Sequence, residues 1–238
     1  MKKLMILIVL SILPFNTGAE EADGKLQTFL SECADNIAES CLVVGYIYQN
    51  GTGAVKQNPS RAIEYYTKAC SLDSGEGCAS AGYAYQLGES EGGVKRDDFK
   101  AVEYHAKACS LDYGDGCASA GYALQRGEGV KQDAFKAVEY YTKACSLDSG
   151  DGCAYAAYAY QLGEGIKQDD FKAVEHYAKA CSLDSGLGCL GLGIRYYIGE
   201  GVRLNISKAL EYIGKACDLK NAEGCKLYAS IKEEQSEG

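Results

Sequence analysis

The residues best suited to chemistry in this chain are twelve cysteines, and their spacing is regular. They form six Cys-x7-Cys pairs: Cys33 with Cys41, Cys70 with Cys78, Cys109 with Cys117, Cys145 with Cys153, Cys181 with Cys189, and Cys217 with Cys225. Cysteine serves as a metal ligand, a nucleophile or a disulfide partner. Zinc sites favour a Cys-x2–4-Cys spacing, often with histidine, and no such spacing occurs, so no metal and no cofactor is expected. The two histidines, His105 and His176, fall at different helical positions and do not make a repeated pair; each reads as a surface or stacked helix histidine. A nucleophilic serine commonly needs a base in a Ser-x-x-Lys arrangement, and no serine here has lysine three residues later. No catalytic residue is assigned.

Compartment decides among the cysteine readings. Met1 to Ala19 has the form of a secretory signal peptide: Lys2 and Lys3, an apolar run from Leu4 to Phe15, and small residues Thr17-Gly18-Ala19 at the cleavage point. That apolar run is too short to span a bilayer, and no later stretch is apolar enough. An even cysteine count at fixed spacing behind such a leader predicts local disulfides within each pair, in a secreted or periplasmic protein. Closing a loop of about nine residues contributes roughly 2.5 kcal/mol in the chain-entropy model. Free buried thiols and zinc ligation are the competing readings. Oxidised thiols leave no cysteine for catalysis.

The elements that carry these pairs recur every 36 to 39 residues. Each period has two predicted helices. The first, helix A, is rich in small residues and tyrosine, as in Cys78 to Gly88. A Gly-x-Gly loop follows, as at Gly127 to Lys131, then helix B, as in Asp133 to Cys145. Asn58, Asp97, Asp133, Asp169 and Asn205 stand where an N-cap of helix B belongs, and Pro59 suits the first helical position. Phe99, Val102, Ala106 and Cys109 follow a helical period and are expected to mark a buried face. Glu and Lys at i and i+4, from Glu64–Lys68 to Glu211–Lys215, are expected to pair on the wet side. The reading is a signal peptide over 1–19 and one repeat solenoid over 20–238. Its five full repeats cover about 41–76, 77–115, 116–151, 152–187 and 188–224, with an N-terminal half-unit at 25–34 and a capping helix at 225–235.

The net charge is −9 at neutral pH, and it becomes two units more negative once the leader lysines are removed. With no basic block, nucleic acid and anionic lipid are not expected partners. Repeat proteins have no single core, so length does not set a domain count here.

The pattern Gly-x-x-Tyr-x-x-Gly-x-Gly-Val, the capped second helix and the terminal Lys-Ala resemble Sel1-like repeats. Gly45, Gly82, Gly121 and Gly193 match the glycine, and Tyr48, Tyr85, Tyr160 and Tyr196 match the tyrosine; Ala157 and Leu124 depart from it. The added Cys-x7-Cys is similar to the Helicobacter cysteine-rich proteins, a secreted branch described as β-lactamases. The resemblance implies an all-α, right-handed superhelical solenoid of αα hairpins of the Sel1 and tetratricopeptide type. It also implies that helix A lines a concave surface, and it makes hydrolysis of penicillin-like β-lactams the alternative function, with no residues to carry it.

On helix A, Cys78, Ala81, Gly82 and Tyr85 share the packed side, and residues 80, 83 and 87 the other. The latter line carries Tyr46, Tyr83, Tyr122 and Tyr158, with Gln49, Gln86, Gln125 and Gln161 on its flank. These eight residues are the candidate binding ladder: tyrosine offers broad contact with a polar tip, and glutamine can bond an extended backbone. Packing against neighbouring helices is the other reading of the same tyrosines. Where peptide-clamping relatives use asparagine early in helix A, this chain holds Val43, Ser80, Ser119, Tyr155 and Gly191. The expected function is a monomeric binding scaffold. Its partner is a protein or peptide, or alternatively a peptidoglycan fragment or a β-lactam.

Overall fold

The structure is a computed structural model that describes residues 19–52, 55–88 and 95–237; the segment read as a leader lies outside them except for its last residue. Twelve α-helices and one isolated antiparallel bridge, Thr52 with Val55, make up the regular structure among the described residues. They are α1 (Ala19–Ala34), α2 (Ala38–Asn50), α3 (Pro59–Ser71), α4 (Gly75–Leu87), α5 (Asp98–Ser110), α6 (Gly114–Arg126), α7 (Ala134–Ser146), α8 (Gly150–Leu162), α9 (Asp170–Ser182), α10 (Gly186–Ile198), α11 (Ile206–Asp218) and α12 (Ala222–Glu237). The chain divides into two compact units, one ending at Leu111 and one beginning at Asp112. Both are stacks of antiparallel αα hairpins, the fold class expected. No helix among the described residues is long and apolar enough to cross a membrane.

The start of each B helix follows from its cap. The side chains of Asn58, Asp97, Asp133, Asp169 and Asn205 accept from the backbone N–H three residues on, at 3.0–3.1 Å, which satisfies one otherwise unpaired donor per helix. Its end is a tight reversal. Asp73, Asp148 and Asp184 adopt left-handed φ of 57–60°, and the next residue's N–H returns to the helix at Ala69, Ala144 and Ala180, a Schellman-type stop. Ser74, Ser149 and Ser185 then cap the following helix A. So one Leu-Asp-Ser phrase both closes a helix and opens the next.

The cysteines face each other across this reversal. Five predicted bridges are formed, Cys33–Cys41, Cys70–Cys78, Cys145–Cys153, Cys181–Cys189 and Cys217–Cys225. Cys109 and Cys117 are disulfide-bonded as well, so no cysteine is free. Their Cα atoms lie 4.4–4.7 Å apart, which requires the two helices to cross almost in contact. Glycine makes that possible: a Cβ at Gly188 would lie 2.3 Å from Ala180 Cβ and 2.8 Å from the Cys181 backbone nitrogen.

Two expectations about helix B are corrected. Phe99, Phe135 and Phe171 are 63%, 64% and 74% exposed. In α5 the face packed on helix A is instead Ala101, His105, Ala108 and Cys109. The same period fits either line of residues, and the close crossing selects the one with alanine, because phenylalanine would hold the helices apart. The lysines of Lys-Ala-Cys also do not serve the Glu four residues earlier. Lys68, Lys107, Lys179 and Lys215 donate instead to the carbonyls of Cys33, Cys70, Cys145 and Cys181, at 2.6–2.9 Å. Lys143, Lys179 and Lys215 also pair with Asp112, Asp148 and Asp184 at 3.0 Å. Each lysine therefore neutralises the C-terminal end of the preceding B helix, tying repeat to repeat.

Candidate functional site

The ladder residues are best followed from the hairpin beneath them. The glycine on the packed side of helix A sits under a ring from helix B: a Cβ at Gly45 would meet Tyr66, at Gly82 His105, and at Gly121 Tyr141. In the next repeat Ala157 occupies the glycine position, and the Tyr177 ring lies against Gly191 of α10. The hydroxyls of Tyr66, Tyr141 and Tyr177 then donate to the side-chain oxygens of Gln49, Gln125 and Gln161, the latter two at 2.8 and 2.9 Å. Three of the four candidate glutamines are thus engaged from below by tyrosines that the sequence reading left out. Burial pushes all three phenols up, Tyr177 to about 12, so they are neutral donors at physiological pH.

His105 takes the place of that tyrosine in α5. It is 2% exposed, with both ring nitrogens unpartnered, and burial lowers it to about 4. Of the two expectations, a surface or a stacked helix histidine, the surface one fails here: Gly82 leaves a ring-sized space that His105 fills, with its ring edge-on to Tyr83. His176 is half-buried and stacked on Tyr160 at 5.3 Å, with burial lowering it too. A second tyrosine row has a structural role: Tyr48, Tyr85 and Tyr196 stack on Tyr65, Tyr104 and Tyr212. Arg61, Lys100, Lys172 and Lys208 lie over Tyr48, Tyr85, Tyr160 and Tyr196 at 5.1–5.4 Å.

In the first unit Tyr46 is half-buried. It packs edge-on to Tyr66 and its hydroxyl donates to Glu76 at 3.1 Å and lies 3.3 Å from Ser80; burial raises it to about 12. Tyr83 is 43% exposed, with its ring edge-on to His105. Gln49 is exposed and Gln86 half-buried.

The second unit brings four ladder residues together. Tyr122, Tyr158, Gln125 and Gln161 line one cavity of about 720 Å³, within the size range of small-ligand and peptide sites. Tyr158 is 44% exposed. Tyr155, at a position where peptide clamps carry asparagine, adds a ring 5.8 Å from Tyr122 and 5.1 Å from Tyr141. Apolar Leu187 and Ile194 and charged Arg126, Glu164, Arg195 and Glu223 are also part of the lining. Arg195 was missed at the sequence level, and Tyr155 was noted there only as a departure from asparagine; the signal for Arg195 is a cation where the other A helices carry Ile47, Ala84, Ala123 and Ala159. Among the described residues, no group of three or more His, Cys, Asp or Glu side chains could hold a metal ion.

Comparison with known proteins gives the same picture of the fold. A crystal structure of a Sel1 repeat protein from Oxalobacter formigenes is similar at a TM-score of 0.76 with 28% identity, covering 87% of this chain and 82% of that one. Helicobacter pylori cysteine rich protein B is 38% identical over 58% of this chain and 99% of its own, with a TM-score of 0.46. Among curated proteins, cytochrome c oxidase assembly factor 7 of Xenopus tropicalis is 37% identical over 57 residues, 24% of this chain. The chain spans about a quarter of that relative's length. The Sel1 repeat model matches residues 38–74, 75–113, 114–149, 150–185 and 186–221, and each match begins at the first residue of α2, α4, α6, α8 or α10. With five repeats in register over most of its length, the chain belongs to the Sel1 repeat family.

Proposed function

We propose that this Sel1 repeat scaffold, a fold suited to protein–protein contact, works outside the cytoplasm and holds a peptide segment of a protein partner in the cavity of its second unit. One observation carries the reading: repeat positions alternating tyrosine and glutamine on successive A helices converge on one cavity of about 720 Å³. The tyrosines line it with their rings, and the glutamines are held in place from below by Tyr141 and Tyr177, Gln125 also donating its amide N–H to Glu164 at 2.9 Å. Such a surface loses little side-chain entropy on binding. The six cystine staples fit an oxidising compartment, periplasmic or extracellular, and a monomer is expected there.

The test compares the oxidised protein with Tyr122→Ala/Tyr158→Ala in binding defined peptide pools by fluorescence polarisation. Binding that drops tenfold or more in the variant, with unchanged helicity, agrees with the reading; equal binding refutes it. A chromogenic β-lactam assay on the same preparation tests the hydrolase implied by resemblance, and turnover would redirect the assignment.

A further inference from the structure

We propose that the Cys145–Cys153 cystine is a thiol–disulfide exchange site, opened by small thiols more readily than the equally buried Cys181–Cys189, with His176 taking the proton and pairing with the Cys145 thiolate.

Cys145 lies in the last turn of α7 and Cys153 in the first turn of α8. His176, on α9 of the next hairpin, brings its Nδ1 to 3.6 Å from Cys145 Sγ while its ring stacks on Tyr160 at 5.3 Å. Packing does not ask for an imidazole there. Seven residues after the cap, the other B helices carry Tyr65, Tyr104, Tyr140 and Tyr212, and three of these stack in the same manner. A phenol fills the same space but offers a sulfur no basic nitrogen. The charged groups about His176 come from its own helix. Lys172 lies over the Tyr160 ring at 5.4 Å, Lys179 is bonded to the Cys145 carbonyl at 2.7 Å and to Asp148 at 3.0 Å, and Glu175 is exposed. Burial, helped by the two lysines and opposed by Glu175, holds the imidazole below its ordinary value. It is therefore neutral at pH 7 and able to act as a base.

The exchange balances as follows. A thiol gives its proton to His176 and its sulfur attacks Cys145, which is 4% exposed where Cys153 is fully covered. The S–S bond breaks and its electron pair leaves on Cys153, at a helix N-terminus that favours an anion. A second thiol attacks the mixed disulfide, and its proton passes to the Cys153 thiolate. Two thiols are oxidised to one disulfide, the cystine gains two electrons, and the Cys145 thiolate stays beside the imidazolium. Such a pair lowers a thiol's pKa, and a stabilised thiolate moves the equilibrium toward the reduced form. Cys181–Cys189 is the internal comparison: its burial is the same, Lys215 donates to its carbonyl at 2.9 Å, and Tyr212 stands where His176 stands.

The full oxidised chain is equilibrated at pH 7 in buffers of reduced and oxidised glutathione, quenched with acid, alkylated and read cystine by cystine by peptide mass mapping. The expected result is half-reduction of Cys145–Cys153 at a [GSH]²/[GSSG] ratio at least tenfold lower than Cys181–Cys189 requires. H176Y, which carries the side chain of the other repeats, should remove that difference. Equal ratios in the wild type, including all staples opening together, overturn the proposal, as does a difference that H176Y keeps. A second measurement separates ion pairing from altered packing. Cys153→Ser leaves Cys145 as the single free thiol, and its thiolate absorbance at 240 nm, read against Cys145→Ser/Cys153→Ser, should appear at least one pH unit below the ordinary thiol value of about 8.5. Titration at or above that value in the folded variant overturns the pairing. If Cys153→Ser does not fold, the glutathione series on wild type and H176Y decides.

Discussion

Acidification should destabilise the first unit through one residue, His105. The ring is buried, bonded to nothing through either nitrogen, and sits against Gly82 and the edge of Tyr83. Burial holds its folded-state value near 4, whereas the unfolded chain titrates near 6.5. Because the folded value is depressed, the unfolded state takes up the proton first. Stability is therefore intact above pH 6.5, falls by about 1.4 kcal/mol per pH unit as the pH drops toward 4, and levels off below it. The full loss is about 3 kcal/mol, of the order of a third of a marginally stable domain. His105→Tyr should abolish this part of the pH dependence: tyrosine occupies the same place over Gly45 and Gly121, and Gln86 stands where the acceptors Gln49 and Gln125 stand in their repeats. Urea unfolding of oxidised wild-type and variant at several pH values between 7.5 and 4 measures the difference between them, in which shared carboxylate titrations cancel. A wild-type-minus-variant difference that stays constant across that range would refute the reasoning.

Lys179→Met should cost about 1–2 kcal/mol, since it removes a charge-assisted bond to the Cys145 carbonyl and a contact to Asp148. Glu175→Gln should change stability by less than about 0.5 kcal/mol; the reverse ranking in urea unfolding would restore the intrahelical pair. Gly188→Ala should destabilise by about 2 kcal/mol or more, because its Cβ would collide with Ala180 and the Cys181 backbone, as thermal unfolding would show. Replacing Cys145 and Cys153 together by alanine should lower stability by about 2.5 kcal/mol, the closure term for a short loop, without changing helicity. Non-reducing peptide mapping that returns pairs other than the adjacent ones would contradict the bridges.

The caps were legible because an Asn or Asp side chain acts on a backbone group three residues away, a distance that sequence states directly. The same holds for the cystines, whose partners lie eight residues apart on either side of one turn. Helical period, by contrast, does not choose between two adjacent lines of apolar residues. It pointed to Phe99, and the structure buries Ala101 and His105, since the glycine-mediated approach of helices A and B admits only small residues and one ring per hairpin. The lysine contacts were hidden for a different reason. Lys107 reaches Cys70, 37 residues back, while Glu103 is four residues away and satisfied every local rule.

The candidate site divides along the same boundary. The tyrosine and glutamine positions of the ladder are visible as a recurring line on helix A. Only the packed structure shows that Tyr141 and Tyr177 hold the glutamines from beneath, that Tyr155 adds a ring, and that Arg195 is among the residues lining the cavity. By itself the sequence determined the repeat, its helices, their caps and their cystine staples, because each depends on residues within one turn or one reversal. Tertiary structure decided which face is buried, where the lysines go and which side chains share the cavity. Those depend on how closely two helices approach, and that distance is set by contacts between residues far apart in the chain.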